Sequence, residues 1–170
     1  MKTKQTLINA LSNLIESTDL EQITVSQLCK EAGINRTTFY KYYTVPSDIL
    51  QEYTENILKN VIYSDEQPYK TPYEYMLNIC RIVYENRQMM RAYFHARGNL
   101  VQIFYSTLIN HSSNLDYMAD PVNVFISGGI GSTLMAWVHR DFAEPPETVA
   151  KRMADCMARL IAKPEEGGAI

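Results

Sequence analysis

The chain is poor in the residues that most often announce chemistry. Its three cysteines, Cys29, Cys80 and Cys156, are odd in number and far apart, so neither a disulfide framework nor a zinc-ligand spacing follows. A reducing cytosol is the simplest compartment for such a set. The histidines His95, His111 and His139 are not at metal-ligand spacing, and each reads as a surface or helix-end residue. There is no HExxH, no phosphate-binding glycine loop and no nucleophile elbow. Gly128-Gly129-Ile130-Gly131 lacks the preceding strand that a dinucleotide fingerprint requires. These gaps argue against an enzyme, and no metal or cofactor is expected.

Long apolar runs and a basic surplus are missing too. Met1-Lys2-Thr3-Lys4-Gln5 leads into an amphipathic helix, so the expectation is no signal peptide, no membrane-spanning stretch and a cytoplasmic location. Formal net charge is −3, and the first sixty residues carry six Lys/Arg against seven Asp/Glu. This balance argues against an indiscriminate nucleic-acid binder; any DNA contact must be local, with modest help from phosphate neutralisation. There is no internal repeat or low-complexity segment. With 170 residues and 46% hydrophobic content, the chain can bury a substantial core as one domain, or as a small domain fused to a larger one.

What is present is helix punctuation, densest from Ile23 to Tyr43. Thr24 and Gln27 have capping-box spacing, with Ile23 and Leu28 at the staple positions. Val25, Leu28, Cys29 and Ala32 share one face, and Gly33 supplies the left-handed stop. Asn35 is a good N-cap for a second short helix, where Ile34 and Phe39 repeat the staple. Phe39 and Tyr43, four apart, point at the first helix and leave Arg36, Thr37, Thr38, Tyr40 and Lys41 outward. No acid lies between Ala32 and Ser47. Such a short, hydrogen-bonding, partly cationic face suits the DNA major groove.

The remainder reads as helices throughout, for an all-α fold of about nine. An N-terminal helix runs from about Thr3 to Glu16, with Leu7, Leu11, Leu14 and Ile15 buried, and Lys2 and Lys4 open it where they can reach phosphates. A helix from Pro46 to about Tyr63 links reader and body, and Ser64 to Lys70 is a polar boundary. Thr71-Pro72-Tyr73-Glu74 is another capping box, starting a helix to about Glu85. Further helices are expected over Gln88–Ala96, from Asn99 with Val101, Phe104, Tyr105 and Leu108, from Pro121 to about Asp141, and from Pro146 to about Lys163. Pro164 to Ile170 reads as a frayed tail. The expected division is a three-helix helix-turn-helix domain, residues 1–45, and a C-terminal helical bundle, 46–170.

The last two helices carry wide apolar faces. Gly128, Gly129 and Gly131 sit inside the first of them, each costing roughly 1 kcal/mol relative to alanine. Close approach of another helix backbone would offset that. The faces are read as a dimer interface, with intrachain core as the alternative.

The DNA-facing stretch resembles the tetracycline-repressor (TetR) family of transcriptional regulators. The resemblance rests on Ile23-Thr24-Val25, Ala32-Gly33-Ile34, Thr38-Phe39-Tyr40, Tyr42-Tyr43 and Asp48-Ile49-Leu50, and covers roughly residues 5–52 closely. It implies a homodimer on a palindromic operator in double-stranded DNA, most simply a repressor released by a small-molecule effector. It implies base-edge roles for Arg36, Thr37, Thr38 and Tyr40, and phosphate roles for Thr24, Ser26, Lys41, Tyr42 and Ser47. Tyr42 can equally cover the core edge, and Thr24 is first an N-cap. Where the family usually opens its next helix with lysine, this chain has Pro46. The amides of Ser47 and Asp48 remain for a phosphate, opposed by the Asp48 carboxylate. Weaker or more salt-sensitive binding than a typical member is therefore expected.

The resemblance also implies a dimer interface on the last two helices, here Phe125, Gly128, Gly129, Gly131, Leu134, Met153, Met157 and Leu160. It implies an effector pocket in the body, for which Met76, Cys80, Tyr84, Tyr93, Phe94, Tyr105 and Trp137 are candidates, with core packing as the plainer alternative. No buried charged anchor stands out, so the effector is expected to be neutral or apolar. Phe125 through Trp137 is similar to the branch regulating dihydroxyacetone-kinase operons, which implies a second possibility. That possibility is a helical dimeric interaction module or co-regulator, switched by a partner protein, with weak or no DNA binding.

Overall fold

Capping chemistry sets the boundaries of the first helices. The computed structural model describes residues 2–62, 70–95 and 120–161, which form eight α-helices and no strand. The expected helix from Asn99, the body of the Ser64–Lys70 boundary and the C-terminal tail lie outside the described residues. α1 (Lys2–Leu14) buries Leu7, Ala10 and Leu11, and a short 3-10 turn (Leu20–Gln22) leads to α2 (Val25–Glu31). The Thr24 hydroxyl accepts from the Gln27 amide at 3.2 Å, and the Gln27 side chain accepts from the Thr24 amide at 2.9 Å. The expected capping box is therefore closed in both directions.

Gly33 has φ +63°, and the amides of Gly33 and Ile34 reach back to the carbonyls of Lys30 and Cys29. This is a Schellman ending, which satisfies two orphan carbonyls of α2 and turns the chain sharply. Asn35 then caps α3 (Arg36–Tyr40), its side-chain oxygen accepting from the Thr38 amide at 2.7 Å.

α4 (Pro46–Ile62), α5 (Pro72–Glu85) and α6 (Arg87–His95) follow, then α7 (Pro121–His139) and α8 (Pro146–Ile161). Thr71 caps α5 by accepting from the Glu74 amide at 3.1 Å, with Pro72 in the first turn, where its missing N–H costs nothing. Asp120 caps α7. Each expected helix within the described residues is present, with ends shifted by two residues or so, the usual latitude of frayed termini.

Two cores result. The first joins Leu7, Leu11, Leu28, Phe39, Tyr43, Ile49 and Leu50, and takes Met89 from α6. The second joins Leu58, the α5 stripe Met76, Ile79, Cys80 and Val83, Met90, and the inner faces of α7 and α8. α4 therefore contributes its first turns to one core and Leu58 to the other, with the buried Thr54 between them.

α7 corrects one expectation. By length and composition it is apolar enough to cross a membrane. Ile126, Ile130, Leu134, Trp137 and Val138 are nonetheless buried in the second core against other helices, while Phe125, Gly129, Thr133 and Ala136 stay exposed on the opposite face. After α7, Asp141 and Phe142 have φ +55° and +56°, a left-handed corner without glycine. Arg91 braces it by pairing with Asp141 and lying 5.5 Å from the Phe142 ring centroid.

Candidate nucleic-acid interface and the α7–α8 groove

α3 divides its side chains cleanly. Phe39 is fully buried and Tyr43 nearly so, while Arg36, Thr37, Tyr40 and Lys41 are exposed and Thr38 is half-buried. Tyr40 keeps 51% of its surface, with its ring set edge-on to Phe39 at 5.3 Å between centroids. Arg36 donates to the Tyr40 hydroxyl at 3.2 Å, and that bond pushes the guanidinium pKa up. Thr24, Ser26, Tyr42 and Ser47 are also exposed around this end. The outward set forms a polar face about one helix wide, with a buried aromatic back that holds its orientation.

The charges around that face are more committed than the sequence suggests. Lys4 donates to both oxygens of Glu52 at 2.8 Å and lies 5.4 Å from the Tyr43 ring centroid. Asp48 does not simply oppose an incoming phosphate. Its Oδ2 accepts from the amides of Thr44 at 2.7 Å and Val45 at 3.0 Å, so these two donors just ahead of α4 are already taken. Burial, with Glu52 and Asp48 close by, pushes the Tyr43 phenol up to about 12, which keeps it neutral.

A second feature lies between α7 and α8, an apolar groove of about 520 Å³. Phe125, Gly129, Met153, Met157 and Leu160 line it, and Phe125 is 68% exposed. Gly128 is half-buried beside it, whereas Gly131 and Leu134 are buried on the inner side of α7. A Cβ placed at Gly128 or Gly129 would meet no atom within 4 Å. Packing within the chain therefore does not demand glycine at either position.

Sequence reading missed Thr133, Ala136, Arg140, Arg152 and Cys156 as groove residues. The stripe Phe125, Gly129, Thr133, Ala136 and Arg140 recurs at helical spacing and carried the signal.

The expected effector residues scatter. Met76 and Trp137 line the groove. Cys80 is fully buried against Met153, with its thiol pushed up to about 12 by burial. Tyr84 stacks on Trp137 at 6.0 Å and meets Phe142 edge-on. Tyr93 and Phe94 are half-buried on α6, and Tyr105 lies outside the described residues. Among the described residues, no group of three His, Cys, Asp or Glu is placed to hold a metal.

An all-helical chain with a capped helix-turn-helix at its N-terminus and a helical body behind it has the architecture of a helix-turn-helix regulator. A family model described as a transcriptional regulator C-terminal region, of TetR type, matches residues 70–159. The chain belongs to the TetR family of transcriptional regulators.

Solved structures with the same fold include the dihydroxyacetone kinase operon activator DhaS, at 20% identity and TM-score 0.67, covering 94% of this chain and 96% of that one. A TetR transcriptional regulator from Streptococcus agalactiae 2603V is similar at 23% identity and TM-score 0.60, covering 92% and 93%. A TetR-family regulator from Syntrophomonas wolfei is similar at 14% identity and TM-score 0.64, covering 98% of each chain. No curated protein matches the chain in sequence.

Proposed function

We propose that the protein is a cytoplasmic homodimeric regulator that lays α3 of each subunit in successive major grooves of a palindromic operator. The observation that carries this reading is the split of α3. Phe39 and Tyr43 are sunk in the core while Arg36, Thr37 and Tyr40 stand in solvent. A helix held by its back and polar on its front is what groove insertion requires.

Arg36, Thr37, Thr38 and Tyr40 then read base edges, with Arg36 suited to guanine and the threonine methyls to thymine. Thr24, Ser26, Lys41, Tyr42 and Ser47 address phosphates and set register. Residues 1–45 act as the reader and 46–170 as the dimerising, signal-receiving body. The exposed Phe125 and the open groove beside it support a second copy covering α7 and α8. Two-fold symmetry would place the half-sites roughly 34–36 Å apart. A neutral or apolar effector bound in the body would release the operator by changing that spacing.

A second reading has its own support. Lys4 is held by Glu52, and Asp48 takes the amides of Thr44 and Val45 just ahead of α4, so three groups beside the face are already engaged. That favours a helical dimeric co-regulator, switched by a partner protein, with weak or no DNA binding. DhaS, a fold relative, is an operon activator, so regulation in this fold is not confined to repression.

A gel shift on the DNA upstream of the protein's own gene, at two salt concentrations, separates the two readings. A specific complex with a steep salt slope supports the operator-binding dimer. No complex at low salt supports the interaction module.

A further inference from the structure

We propose that Tyr40 is a positioning residue for Arg36: it holds the guanidinium in place before DNA arrives, and its effect on sequence preference is exerted through Arg36. The inference rests on the DNA-binding reading above and replaces one part of it: Tyr40 acts on sequence through Arg36 and does not touch a base edge itself.

The two residues are four apart on α3 and share one face of the helix. Arg36 Nη2 donates to the Tyr40 hydroxyl at 3.2 Å, and the guanidinium carbon lies 5.9 Å from the Tyr40 ring centroid. Tyr40 is itself supported from below. Its ring meets the edge of Phe39 at 5.3 Å and 79°, and Phe39 is fully buried beneath it. Order therefore passes from the core through Phe39 to Tyr40, and from Tyr40 to an arginine that is otherwise in solvent.

No acid lies between Gly33 and Ser47, so no neighbouring carboxylate on this stretch competes for the guanidinium. A guanidinium has five N–H donors in a rigid fork. One donor spent on Tyr40 leaves enough of the fork for a bidentate contact to guanine O6 and N7. Lysine at this position would keep the charge and lose the fork.

The test begins with in vitro selection by the wild-type protein from a random duplex library. Affinities are then measured on a panel in which each base pair of the selected site is replaced in turn. Wild type, Y40F, R36A and R36A/Y40F are compared. Y40F keeps the ring against Phe39, so its melting temperature should equal that of wild type.

Y40F should lose discrimination threefold or more at the base pair that R36A also relaxes, and nowhere else. Adding Y40F to R36A should change nothing further. The Arg36 Nη–H resonances of the free protein, separated where Nη2 is held by the Tyr40 hydroxyl, should broaden or average in Y40F, a readout that needs no DNA. Relaxation at a different base pair would mean that Tyr40 reads its own base, and uniform weakening would mean that it touches phosphate. Either result overturns this inference alone. Enrichment of no sequence by the wild type would overturn the DNA-binding reading and this inference with it.

Discussion

Met89 and Met90 are consecutive on α6 and are buried in different cores. Met89 joins the core that supports α3, and Met90 joins the core of the body. One short helix is thus a shared wall between reader and body. Tyr93, a turn further on, packs against both.

Truncating either methionine to alanine should cost about 2–5 kcal/mol. The two costs should fall in different places. Met89→Ala should raise amide hydrogen exchange first in α1 to α3, and Met90→Ala first in α5 and α7. Identical exchange patterns would show that the two cores unfold as one.

Two glycines should respond in opposite ways to alanine. Gly33 has φ +63°, where a Cβ costs about 1–2 kcal/mol, so Gly33→Ala should lower the melting temperature. Gly129 is helical and open, so Gly129→Ala should gain up to about 1 kcal/mol of helix stability within the chain. If a second copy approaches there, the same methyl group should weaken association in sedimentation equilibrium. Unchanged association would remove Gly129 from the interface.

The Lys4–Glu52 pair yields a prediction with a sign. Glu52→Gln should release the ammonium toward DNA. Binding should tighten alike on every sequence, and the slope of log affinity against log salt should steepen by about one. Lys4→Ala in the wild-type background should change little. If it costs as much as a phosphate contact does, Lys4 leaves Glu52 on binding.

Alkaline pH should destabilise the fold through its buried phenols and thiols, Tyr43 and Cys80 foremost, with Tyr53 and Cys29 raised in the same direction by burial. Tyr43 and Cys80 both hold their proton more tightly folded than unfolded, with pKa values raised from 10 and 9 to about 12 by burial. Their contribution is complete below the unfolded values and is lost as pH rises from about 9 toward 12. Tyr43→Phe should flatten part of that decline in a pH series of thermal melts.

The parts of the fold that were legible in the sequence are the local ones. Thr24 with Gln27, Gly33, and Asn35 with Thr38 act over three or four residues, so residue type and spacing contain the whole interaction. The buried back of α3 was legible for the same reason, since Phe39 and Tyr43 share a face. Lys4 and Glu52 are 48 residues apart, and no periodicity links them. Asp48 was read by its charge, yet it acts by geometry, turning back onto the amides of Thr44 and Val45.

Methionines at helical spacing show that α6 is amphipathic without saying which core each one enters. The left-handed corner at Asp141 and Phe142 carries no glycine to announce it. In α7, spacing placed the glycines together, but only the packed helix separates the exposed Gly129 from the buried Gly131.

The most direct test of the α3 face is a hydroxyl-radical footprint on the DNA upstream of the protein's own gene, with wild type and Arg36→Ala side by side. The wild type should protect two patches on one face of the duplex, centred about one helical turn apart. Arg36→Ala should lose about 1–3 kcal/mol on that site and relax one position in each half. No protection at low salt, or protection that Arg36→Ala leaves unchanged, would contradict the assignment of α3 as the element that reads DNA.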